Sequence, residues 1–125
     1  MDIKTLADKY NLKKSDFWEM RFGGKSNWII THDAVEKIAD VEGIKFHKPE
    51  VFRDNNSNVA MLGSATKGDK HIWSTGESSS YNNKNPYNFA MCEKRLKDRL
   101  VLKIINAYEY GIYSDVEADD FKKAK

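Results

Sequence analysis

One stretch constrains the fold more than any other: from Asn85 to Tyr108 nothing after Pro86 breaks a helix, and the next glycine is Gly111. Asn85 is a good N-cap residue, and Pro86 suits the first helical position, where its missing N–H would be unsatisfied anyway. Phe89, Cys92, Leu96, Leu100, Ile104 and Ala107 or Tyr108 recur every three or four residues. That is a stripe of about six turns at roughly 3.6 residues per turn, and it requires a core to face.

The same helix holds the densest charge in the chain. Residues 84–103 carry Lys84, Lys94, Arg95, Lys97, Arg99 and Lys103 against only Glu93 and Asp98, a net +4 where the whole chain is +2. Overall charge therefore gives no support for nucleic-acid or membrane binding, whereas its distribution singles out the helix and its leading loop. The plainer reading is a solvated face braced by the pairs Glu93/Lys97 and Lys94/Asp98 at i,i+4 spacing.

Upstream, residues 3–10 form a short amphipathic helix pattern with Ile3, Leu6, Ala7 and Tyr10 on one side. Residues 15–30 surround Gly23-Gly24 and fit either a small hairpin or a helix-turn-strand entry. Thr31 caps a helix over residues 31–39 that Gly43 closes. Residues 44–51, 59–66 and 70–75 then read as strands joined by turns at 54–58 and 67–69, links short enough to require antiparallel pairing. The expected fold is α+β: a short helix, a three-stranded antiparallel β-meander and a long basic C-terminal helix packed on the sheet. Its 125 residues make one domain. Residues 1–30 are read as an N-terminal extension, 31–113 as the helix-sheet-helix core, and 114–125 as a mobile tail, acidic then basic.

Composition removes several chemistries. Cys92 is the only cysteine, which excludes a disulfide framework, favours a cytoplasmic protein, and on the apolar stripe makes it a small buried hydrophobe. No apolar run approaches the roughly 18 residues of a membrane span. His32, His47 and His71 lie far apart in sequence without ligand spacing, so no metal site is expected. Asp54, Asp69 and Glu77 would be the carboxylates of a metal-dependent nuclease, but turn chemistry accounts for the first two. There is no phosphate-cradling Gly-rich loop ending in Lys-Ser or Lys-Thr, and no Ser or Cys nucleophile has a partner pattern. Neither a catalytic residue nor a cofactor is expected.

The order helix, Gly43-Ile44, three strands, a Gly-containing strand exit and a Glu-Lys-Arg-rich helix resembles the core of the Rad-fifty-two-type single-strand annealing proteins. The residues that carry it are 34–39 (Ala-Val-Glu-Lys-Ile-Ala), 73–77 (Trp-Ser-Thr-Gly-Glu), 90–99 (Ala-Met-Cys-Glu-Lys-Arg-Leu-Lys-Asp-Arg), and 108–111 (Tyr-Glu-Tyr-Gly) with Tyr113. Small phage-encoded recombination proteins are similar in the same helix. The resemblance spans about residues 31–121 and implies single-stranded DNA held along a basic groove of a homo-oligomeric ring or filament, with complementary strands annealed without nucleotide hydrolysis. In the family the far end of the helix is usually basic, but here residues 104–107 (Ile-Ile-Asn-Ala) add no charge. That departure moves the expected DNA contacts toward Arg95 and Arg99.

Single strands are held by cations that neutralise phosphates and aromatics on which bases stack, each stack contributing about 1–3 kcal/mol. Lys84, Lys94, Arg95, Lys97, Arg99 and Lys103 are the candidate track, Trp73 and Tyr81 the candidate platforms, and Tyr87 is read as core. Arg95 and Arg99, one turn apart, are the first choice for a shared groove. Sheet edges left open by three strands favour self-assembly. The acidic tail offers a site for a protein partner. The competing reading is a structural or protein-interaction module whose charge serves solubility.

Overall fold

The computed structural model describes residues 2–54, 58–79 and 87–118. Helix α1 (Ile3–Tyr10) starts where the Asp2 carboxylate accepts the Thr5 amide at 2.8 Å and ends at Asn11, whose left-handed backbone returns a hydrogen bond to Ala7. A single 3-10 turn (Lys14–Asp16) leads into strands β1 (Phe17–Phe22) and β2 (Lys25–Ile30), an antiparallel hairpin. Gly23 and Gly24 both take positive φ, the geometry of a two-residue turn that follows the strand twist. Thr31 Oγ1 accepts the Ala34 amide and starts α2 (His32–Glu42), which Gly43 ends in the left-handed region.

A second sheet follows, built from β3 (Lys45–Phe46), β4 (Glu50–Arg53), β5 (Val59–Lys67) and β6 (Lys70–Ser78). β5 is its spine, with β6 on one side and both short strands on the other. Phe46 opposes Ala65 and Glu50 opposes Leu62, so three residues on one side face two on the other. That extra residue is a bulge, placed where Pro49 cannot donate to the ladder.

Helix α3 (Asn88–Ile104) lies across β5 and β6. Two glycines permit the close approach: a Cβ on Gly76 would sit 2.7 Å from the Cys92 carbonyl oxygen, and one on Gly63 2.7 Å from Leu96 Cδ2. After a 3-10 turn (Ala107–Tyr110) the chain forms β7 (Ile112–Ser114), parallel to β2, and a last 3-10 turn (Asp115–Glu117). One core joins all of this. Leu6 and Tyr10 of α1, Ile30 of β2, Val35 and Ile38 of α2, Met61 of β5, Leu96 and Leu100 of α3 and Ile112 of β7 pack together within it.

The expected fold class is corrected. Among the described residues there are three α-helices and seven strands in two sheets, not one three-stranded meander with a terminal helix. The difference has two physical origins. Residues 17–30 form a hairpin of their own, and its strand β2 recruits Ile112–Ser114 from beyond α3. The extended run at 44–51 is broken by the bulge. Asn85 and Pro86 lie outside the described residues, as do 119–125 of the tail, while residues 114–118 are built into the fold. Among the described residues no helix is long and apolar enough to cross a membrane.

Candidate nucleic-acid interface

The basic residues of α3 do not form one track. Arg95 is 2% exposed, close enough to Glu77 and Glu117 that its charge favours their ionised forms. Arg99 reaches past the edge of β6: Nη1 and Nη2 each donate to Glu77 at 2.8 Å, Nη1 also donates to the Thr75 carbonyl oxygen at 2.8 Å, and the guanidinium pairs with Glu117. Burial works against its charge, yet the two carboxylates hold its pKa above the ordinary arginine value. The hydrogen bonds from Arg99 pull Glu77 below the usual carboxylate range, whereas burial pushes Glu117 above it despite the same partner. These two arginines are tied into the fold, and they do not present a shared phosphate groove.

Lys97 pairs with Glu93 at 3.1 Å and lies over the Phe46 ring at 5.6 Å. Lys94 is exposed. Lys103 comes together with a predicted aromatic: its Nζ lies 5.6 Å from the centre of the Trp73 ring and donates to the Trp73 carbonyl oxygen at 3.3 Å. Lys84 and Tyr81 fall outside the described residues. Tyr87, expected in the core, is exposed, as is Phe89 at the start of the stripe, where Arg53 covers its ring at 4.8 Å.

Register explains where Trp73 points. Directly opposed residues in a sheet share a face. Val59, Met61, Gly63 and Ala65 with Ser78, Gly76, Ser74 and Ile72 face α3. The opposite face holds four rows: Phe52, Ala60 and Glu77; Glu50, Leu62 and Thr75; Ser64 and Trp73; Lys45, Thr66 and His71. Trp73 is 63% exposed and Phe52 53%. Their rows are four residues apart along β5, roughly 13 Å at about 3.4 Å per residue, so two platforms flank a row of Glu50, Leu62 and Thr75. Phe52 lay just beyond the strand expected at 44–51, and the structure carries β4 on to Arg53.

A buried polar cluster joins α2, α3 and β7. Asp98 is 1% exposed, with His32 Nδ1 at 2.7 Å from one oxygen and Ser114 Oγ donating to the other at 2.5 Å. His32 Nε2 meets Glu36 at 2.8 Å, and the His32 amide donates to Asp115. The hydrogen bond to Asp98 holds His32 above its ordinary pKa, while burial pushes Asp98 up. Both imidazole nitrogens are engaged by carboxylates, so the group ties three elements together and offers no free base.

The three imagined nuclease carboxylates do not converge. Asp54 accepts from Asn58 in the β4–β5 turn and lines a cavity of about 340 Å³ with Glu77, whereas Asp69 sits in the turn at the other end of the β5–β6 hairpin. Cys92 is buried, and burial raises its thiol pKa to about 11. Protein-family models, curated proteins and solved structures yield no match to this chain.

Proposed function

We propose that this chain binds single-stranded DNA on the open face of the β3 to β6 sheet. The observation that carries the reading is Trp73, 63% exposed on an uncovered sheet face with the Lys103 ammonium 5.6 Å from its ring. An aromatic plane beside a cation is the unit by which single strands are held without reading sequence. Phe52 supplies a second plane on the same face. Relative to the sequence reading, the site moves from Arg95 and Arg99 of α3, which are tied into the fold, to the sheet, with Lys103 and Trp73 retained. Annealing of complementary strands in the cytoplasm by a homo-oligomer, without nucleotide hydrolysis, is the activity the family resemblance adds to this proposal.

The test is anisotropy of labelled oligo-dT over a salt series. The expected outcome is binding that weakens as salt rises, and a Trp73→Ala variant that folds normally but binds about tenfold more weakly, since a lost stack is worth about 1–3 kcal/mol. Unchanged affinity in that variant rejects the sheet face. A second reading, a protein-interaction module, draws on the same exposed Phe52 and Trp73. It is favoured if the chain self-associates through this face and oligo-dT does not bind.

A further inference from the structure

We infer that His47 and His71 form a two-imidazole site for a divalent transition-metal ion on the open face of the sheet. The two residues are 24 apart in the chain and share no motif, but β5 brings them together. The His47 amide donates to the Ser64 carbonyl oxygen at 3.0 Å just where the bulge begins, and His71 stands opposite Thr66 on β6. Their ring centres are 5.8 Å apart with planes inclined by 31°. Two imidazoles on one tetrahedral ion, with metal–nitrogen bonds of about 2.0–2.1 Å, put ring centres roughly 5–6 Å apart. The observed ring spacing falls in that range.

One of the two rings has a second-nitrogen partner. His47 Nε2 lies 3.2 Å from Thr66 Oγ1, which anchors that nitrogen and leaves Nδ1 as the ligand. A ligating histidine commonly fixes its second nitrogen on an oxygen in this way. Among the described residues no group of three His, Cys, Asp or Glu side chains is placed to hold a metal ion, so the protein supplies two ligands here and the other positions belong to water or an oxygen of a bound molecule. Lys45 flanks Thr66 on the same face, and its long flexible stem lets the ammonium swing into solvent. Imidazole pairs suit Cu²⁺, Ni²⁺ and Zn²⁺, with Cu²⁺ held most tightly. The site stands whether or not the face binds DNA.

Trp73, two residues from His71 on the same face of β6, provides the readout, because bound Cu²⁺ quenches nearby indole emission. Calorimetric titration of the full chain with CuCl₂ and ZnCl₂ is expected to give one ion per chain, with Cu²⁺ tighter and accompanied by quenching. His47→Gln and His71→Gln should each weaken binding at least about tenfold, as loss of one of two protein ligands requires. Trp73→Phe should remove the extra quenching and leave the calorimetric affinity unchanged. His32→Gln is the control and should alter neither. Absence of binding in the wild-type chain, or wild-type affinity in the His47→Gln and His71→Gln variants, overturns the site. Loss of binding in His32→Gln alone places the ion elsewhere and overturns it too.

Discussion

Arg99 shows how a residue chosen for binding becomes a residue of the fold. Its planar fork matches Glu77 with two parallel hydrogen bonds, and the remaining donors reach Thr75 and Glu117. Replacing it by Gln leaves the buried Glu117 without its countercharge and the exposed Glu77 without its bidentate partner, so Arg99→Gln is expected to lose about 1–3 kcal/mol in urea denaturation. Lys94→Gln, on the exposed side of the same helix, should stay within about 0.5 kcal/mol of wild type. Equal midpoints for the two variants would contradict the assignment. The sequence carried half of this result. Helical spacing puts Arg95 and Arg99 on one line with Cys92 and Leu102, both buried, which is a signal that this line faces inward. The partners Glu77 and Glu117 lie 22 and 18 residues from Arg99, beyond any local pattern.

At the scale of elements, α2, α3 and β7 meet at Asp98, and their union depends on pH. His32 has a folded pKa above its ordinary 6.5, so the folded state holds its proton more tightly than the unfolded state does. That contribution is fully present below pH 6.5 and is lost as pH rises through the folded value. Asp98, Asp115 and Glu117 are also shifted upward by burial and act in the same direction, whereas Glu77 and Glu42 are lowered and their contributions are lost as pH falls. Urea midpoints measured from pH 6 to pH 9 should decline with rising pH, and His32→Gln should flatten that decline. A wild-type midpoint constant over the interval would remove the coupling.

Elements with a strong local signal were readable: apolar spacing marked α1, and Thr31 and Gly43 bound α2. Residues 17–30 were not, because the alternation of β1 is weak, exposing Trp18 and leaving Phe22 only partly buried. Three-residue β7 is too short to carry any period. Its existence comes from pairing with β2, more than 80 residues upstream, a contact that no window along the chain contains.

For the molecule as a whole, edges and closure decide what it can do. Arg99 and Lys103 donate to the Thr75 and Trp73 carbonyls on the outer side of β6, which puts charge on an edge that would otherwise pair with another chain. Copies that assemble, as proposed, therefore meet through a surface other than this edge, and other than the open face where that face holds DNA.

Closure of the fold falls to residues 112–118, which complete the first sheet beside β2, donate Ser114 Oγ to the buried Asp98 and bring Glu117 to Arg99. A chain ending at Gly111 would lose the ladder along Trp28, Ile29 and Ile30, strip Asp98 of one of its two partners and leave Arg99 with Glu77 as its one carboxylate. Each buried polar group left without a partner costs about 1–3 kcal/mol, against a total stability of about 5–15 kcal/mol for a domain of this kind. Ile112, fully buried, would be missing from the core as well. Truncation after Gly111 is thus expected to abolish cooperative thermal unfolding by circular dichroism, although only segments at the far end of the chain are removed. If the shortened chain still melts cooperatively within a few degrees of the full one, the core closes without β7 and the clasp is dispensable.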